Sequence, residues 1–185
     1  MANKVEFGIS NLHVGTYTVS GSTVTLGTPY HQKGAVSFSP EEQSDSNTFY
    51  ADNIAYWSGY SGGTIEGDLE VAMFDDTFKT QFLGYRALTD GGLANVKNAT
   101  KPNVYISFQV EGDAESRRVI LYNCSLGAIT REYATIEDTT EPATETLPIT
   151  CTGVDSNGVT MAVYSPEDTG YATLFTAPTA PELAP

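Results

Sequence analysis

The chain has 185 residues, with nine Lys and Arg against 23 Asp and Glu, for a formal net charge of −14. That length allows one domain with a sizeable core. No apolar run approaches the roughly 20 residues a membrane helix needs, and so acidic a surface cannot form the basic footprint of a nucleic-acid binder. The imbalance is steepest after Arg131, the last basic residue, where Glu132, Glu137, Asp138, Glu141, Glu145, Asp155, Glu167, Asp168 and Glu182 follow with no cation among them. No apolar stretch stands behind a basic start at Met1-Ala2-Asn3-Lys4-Val5-Glu6, so no signal peptide is read and folding in a cytoplasm is expected. In that compartment Cys124 and Cys151 are expected as two reduced thiols in a core.

Along the chain, strand signals dominate. Val5, Phe7 and Ile9 alternate with polar or small residues, and Thr16 to Val19 and Thr23 to Leu26 flank Ser20-Gly21-Ser22 as a hairpin. Ala35 to Ser39 reads as a short strand that Pro40 stops. Glu41 to Asn47 reads as an acidic, Ser-rich leash without apolar anchors. Two aromatic arms, Thr48 to Ala51 and Ile54 to Trp57, bracket a turn at Asp52-Asn53, and the loop Ser58 to Gly63 closes them off. The stretch 41–63 is therefore expected to be a projecting loop.

From Ile65 to Met73 the pattern has a period of two. Ile65, Leu69, Val71 and Met73 form one face, while Glu66, Asp68 and Glu70 form an acidic stripe on the other. Asp75 and Asp76 open the one expected helix, in which Phe78 and Phe82 lie four apart and Gly84 ends the last turn. Val104, Ile106, Phe108 and Val110 alternate with Tyr105, Ser107 and Gln109, and pair as a hairpin with Arg117 to Cys124. Further strands are read at Gly127 to Ala134, Thr146 to Thr152 and Val159 to Tyr164, the last entered through the turn Asp155-Ser156-Asn157-Gly158. After Ser165-Pro166 the composition becomes Thr, Ala and Pro, which reads as a C-terminal arm, extended when it has no partner. Many short strands and one helix give a mainly β fold: a β-sandwich or partly closed barrel with a short flanking α-helix over 1–164, then the arm 165–185.

The sequence offers little chemistry. His13 and His31 each stand alone, with no ligand spacing typical of zinc, and no nucleophile elbow, Walker loop or dinucleotide fingerprint occurs. The carboxylates Glu66, Asp68 and Glu70 sit on one strand face with no partner indicated across a cleft, as a glycosidase pair would require. No enzyme, metal site, cofactor or membrane span is expected.

Several stretches together resemble the major tail proteins of siphophages that infect Gram-positive bacteria. These are the opening Asn3-Lys4-Val5-Glu6-Phe7-Gly8, the hairpin Phe49-Tyr50-Ala51-Asp52-Asn53, the run Glu66-Gly67-Asp68-Leu69-Glu70-Val71 before a helix ending Phe82-Leu83-Gly84-Tyr85, and the strand Arg117 to Cys124. The resemblance implies a structural virion protein, assembled in the host cytoplasm, whose hexameric rings stack into a tail tube that carries genomic DNA during ejection. Its partners would be other copies of itself, a tape measure protein and the adaptor proteins at the tail ends. The resemblance makes 41–63 the loop that reaches the neighbouring ring, with Phe49, Tyr50, Asp52, Tyr56 and Trp57 as interface residues, and makes Glu66, Asp68 and Glu70 candidates for the lumen wall. A competing reading is a carbohydrate-binding or host-adhesion β-sandwich, in which Tyr56, Trp57 and Tyr60 stack on sugars.

Overall fold

The structure is a computed structural model and describes residues 8–51, 53–112, 115–133 and 142–184. In chain order the elements are β1 Gly8–Ser20, β2 Thr23–Leu26, β3 Tyr30–His31, β4 Ala35–Ala51, β5 Ile54–Val71, α1 Asp76–Phe82, β6 Arg86–Ala87, β7 Leu93–Ala94, β8 Val104–Glu111, β9 Arg118–Leu126, β10 Thr130–Arg131, β11 Glu145–Cys151 and β12 Met161–Tyr164. One antiparallel sheet holds nearly all of them in the order β2-β1-β8-β9-β11-β5-β4, with β3 on β1, β10 on β11 and β12 on β9. The fold is mainly β, as the sequence indicates, and the sheet curls without closing into a barrel.

The sheet branches at β9. Ile149 to Cys151 of β11 pair with Cys124 to Leu126, while β12 pairs with Arg118 to Leu121. Two asparagines in the left-handed region mark irregularities in the sheet, one of them at this branch. Asn11, at φ 51°, lies at the register shift in β1, and Asn123, at φ 50°, turns β9 so that Leu121 and Cys124 share a face. Asparagine tolerates that conformation better than bulkier residues, which suits it to bulges. Asn123 is held from both sides, accepting from Asn103 Nδ2 at 2.7 Å and donating to the Gly153 carbonyl at 3.0 Å.

One face of the sheet curls around the main core, which joins Leu12, Val14, Leu69, Val71, Ile106, Leu121 and Leu147 to the phenylalanines of the helix region. Asp75 caps α1 by accepting from the Phe78 amide at 2.8 Å, and Gly84 follows the helix at φ +73°. Seven residues are too few for a self-supporting helix. Burial of Phe74, Phe78 and Phe82, at about 1.5–3 kcal/mol each, holds it instead. Glu145 fastens the same corner: it accepts from the Phe74 amide at 2.7 Å and lies 3.3 Å from both Lys79 and Arg131. The apparent lack of cations opposing the carboxylates after Arg131 thus does not hold for Glu145, which is offset by cations from earlier in the chain.

Several expectations need correcting. Pro40 does not stop a strand: β4 runs through it to Ala51, with Pro40 opposite Gly67. The physical reason is that β4 is the outermost strand at that end of the sheet, where a residue without an N–H costs least. Glu41 to Asn47 and Ser58 to Gly63, read as leash and loop, lie in paired strands: Glu41 to Gln43 pair with Glu66 to Thr64, and Ser44 to Asn47 with Gly62 to Gly59. The strand expected over Gly127 to Ala134 shrinks to Thr130–Arg131 among the described residues. Cys124 and Cys151 are not reduced thiols. The β9–β11 register sets them opposite one another with Cα atoms 3.9 Å apart, and their sulfurs are bonded.

The arm after Ser165 folds back in turns over the second face of the sheet instead of extending. Leu174 is buried there against Tyr17, Tyr105, Ile120, Tyr122 and Val154, with Phe175 beside it. This cover is why Tyr105, which alternates with the main-core residues of β8, is fully buried as well. Gly15 is required beneath it, because the Tyr105 ring lies where a β-carbon at that position would stand.

Candidate functional site

Two surfaces stand out, and both belong to the β4–β5 hairpin. From Val71 back to Ile65, β5 lies between β11 and β4. Beyond Ile65 its only strand partner among the described residues is β4, so residues 43–64 form a two-stranded ribbon. At about 3.3 Å per residue, its arms reach roughly 35 Å past the sheet. Register shifts at Gln43/Ser44 and Phe49/Tyr50 add local twist.

The end of the ribbon is aromatic. Phe49 pairs with Trp57 across the strands, and the Trp57 indole lies over Gly59, where a side chain would collide with it. Phe49, Tyr50, Ile54, Tyr56 and Trp57 are each between 55% and 74% exposed. Neighbouring residues such as Tyr56 and Trp57 point to opposite faces of a strand, so folding the ribbon back onto the body would cover only one of them. Asp52 lies outside the described residues, as does the side chain of Tyr60.

The second surface is the face of β5 opposite the core. Glu66 and Asp68 are exposed and Glu70 half-buried, while Ile65, Leu69 and Val71 point inward as expected. Across β4 their partners are Glu41, Ser39 and Ser37, and across β11 they are Thr150, Pro148 and Thr146. Glu70 accepts from Thr144 at 2.6 Å and Ser37 at 2.9 Å, and these bonds hold its carboxyl below the usual carboxylate range. Glu41 directly opposite Glu66 is a like-charge cross-strand pair, which a sheet tolerates only where water screens it. The sequence reading missed Glu41 because it took Pro40 as the end of the strand.

The histidines, read as isolated, meet in the structure: His13 pairs with His31 across β1 and β3, and their rings stack at 4.7 Å. Among the described residues no group of three or more His, Cys, Asp or Glu is placed to hold a metal ion, and no helix is long and apolar enough to cross a membrane.

The sequence model of a family described as "Phage tail tube protein" matches residues 2–168. The chain belongs to that family. A phage tail tube protein is a structural component of the virion tail, and the resemblance seen in the sequence is shown at that level. Two solved structures have the same fold as this tail tube protein. One is the anti-feeding prophage cap, described as the tube-terminating cap, with TM-score 0.51, 9% identity, and coverage of 88% of this chain and 95% of the other. Another is the sheath/tube terminator, in the extended state, of an extracellular contractile injection system, PVC, with TM-score 0.52, 8% identity, and coverage of 89% and 100%. At such identities the likeness is one of fold. No curated protein matches the chain.

Proposed function

We propose that copies of this chain associate into hexameric rings, and that the rings stack as the tail tube of a siphophage of Gram-positive bacteria, through which genomic DNA passes during ejection. The observation that carries the reading is the ribbon of residues 43–64. A two-stranded hairpin alone in water is marginally stable, and this one presents large aromatic residues on both faces with no other strand beside it among the described residues. A second copy in the next ring is the partner that covers it, with Phe49, Tyr50, Asp52, Tyr56 and Trp57 as the contact residues. The outer strands β2 and β4 supply edges through which neighbours within a ring join. The assembled unit is the core 1–164, with the arm 165–185 laid across it.

The lumen wall is the acidic face. Six copies of Glu66, Asp68 and Glu70 in each ring, with Glu41 beside them, make a channel that repels phosphate and lets DNA slide. A tape measure protein fills that lumen before ejection, and adaptor proteins close the two ends. Electron microscopy of the purified full-length protein at high concentration tests the reading. Rings or tubes from the intact chain, and none from a folded variant lacking residues 45–59, are expected. Monodisperse wild-type particles with affinity for glycans would overturn it in favour of a carbohydrate-binding module.

A further inference from the structure

Among its described residues the C-terminal segment after Ser165 has turns but no strand, so no ladder of backbone bonds fastens them to the sheet. Its attachments among the described residues include Leu174 buried in the second core cluster, a bond from the Tyr171 hydroxyl to the Ser116 carbonyl at 2.8 Å, one from the Arg118 guanidinium to the Tyr171 carbonyl at 2.5 Å, and one from Asn157 Nδ2 to the Pro181 carbonyl at 2.7 Å. The rest of the hold comes from a continuous run of ring contacts. His31 stacks on His13 at 4.7 Å, and His13 on Phe175 at 4.6 Å, both pairs nearly parallel. The Arg118 guanidinium lies 4.3 Å from the centre of the Phe175 ring and 3.9 Å from that of Tyr171. Phe175 therefore touches one permanent cation and one histidine that has another histidine behind it.

We infer that the run His31–His13–Phe175–Arg118–Tyr171 is an acid-sensitive latch, which holds the C-terminal segment on the sheet at neutral pH and lets it go on acidification. Neutral imidazole stacks on a phenyl ring as an apolar plate. Once protonated, His13 is a cation in a half-buried site, flanked by a second histidine from β3 and by Arg118 from β9. The Phe175 ring face favours a cation, but Arg118 already occupies that role.

The sign follows from the causes acting on His13. Burial, and then His31 and Arg118, lower its pKa, against the opposing effect of the Asn11 carbonyl, which accepts from Nδ1 at 2.7 Å. With Nδ1–H so engaged, Nε2 is the nitrogen that takes the proton. His31 and Arg118 stay on the sheet when the segment leaves, so burial under Phe175 is the cause that differs: the closed form binds that proton less readily than the released form, and attachment weakens as pH falls through the histidine range. This inference is independent of the assembly reading above.

Hydrogen exchange tests it, read as protection factors corrected for intrinsic rates, at about pH 7.5 and about pH 5.5. The probes are the amides of Leu174, Thr176 and Ala177, bonded to the carbonyls of Tyr171, Thr173 and Thr173, with the amides of β8 and β9 as reference. In the wild type the probes should lose protection several-fold at the lower pH while the reference amides hold. In His13→Phe, which keeps the flat ring and loses the proton, the loss should vanish. A wild type with no loss, or an equal loss in His13→Phe, overturns the inference. If His13→Phe does not fold, His31→Gln serves instead: a smaller loss than wild type supports the latch, and an unchanged one overturns it.

Discussion

Replacing Tyr56 and Trp57 together by alanine should abolish assembly and leave the subunit folded. The two side chains are 74% and 55% exposed. An aromatic side chain carries about 150–250 Å² of surface, so roughly 250 Å² of the pair is open to a partner. At about 25 cal/mol per Å², covering it completely contributes about 6 kcal/mol to each ring-to-ring contact. At about 1.4 kcal/mol per decade, that is an upper bound of some four decades in contact affinity. Neither residue belongs to either core cluster. The stability of the isolated subunit should therefore change by no more than about 0.5 kcal/mol. Sedimentation velocity across a concentration series reads the first effect, and chemical denaturation of the monomer reads the second. A double variant that polymerises at the wild-type concentration would remove the ribbon from the interface. A large loss of monomer stability would mean that the two rings are covered within their own chain.

Other substitutions test other parts of the account. Changing Glu66, Asp68 and Glu70 together to lysine should leave assembly largely intact but make assembled tubes retain DNA, an effect that weakens with added salt; tubes that show no salt-dependent retention would put the acidic face on the outside. Cys124 and Cys151 should resist a thiol reagent in the unfolded chain until a reductant is added, and reduction should lower stability by about 3–4 kcal/mol, the loop-entropy value for a separation of 27 residues. Thiols that react before reduction would refute the pairing. Glu145→Ala should cost about 3–5 kcal/mol in urea denaturation, because it strands the Phe74 amide and the largely buried Lys79. Glu145→Gln, which can still accept from that amide, should cost less, and equal losses would contradict this.

Much of the fold was legible because it rests on local signals. The alternation read from Ile65 to Met73 holds as far as Val71, beyond which the strand ends and Met73 is exposed, while the Asp75 cap, the Phe78 and Phe82 spacing and Gly84, each acting within a few residues, appear as read. What failed depends on position in the sheet. Pro40 stops a central strand but not an outermost one, and sequence alone does not say which strand will lie at the edge. The disulfide was hidden in a similar way. Compartment argued for thiols, whereas the decisive fact is that Asn123 turns β9 so that Cys124 meets Cys151 in register.

The candidate site divides along the same line. Aromatic residues beside Asn53 mark an exposed ribbon by composition alone, since nothing nearby in sequence could cover them. Glu41 joins the acidic face only because β4 continues past Pro40, and that lengthens the row of carboxylates along the sheet. The histidine stack requires β3 to return to β1 and Phe175 to come back from the far end of the chain, two contacts with no periodic trace. The features that sequence shows least are thus those made by chain return. Here they join the C-terminal segment to the first strand of the sheet, where the His13 ring that Phe175 stacks on can take up a proton.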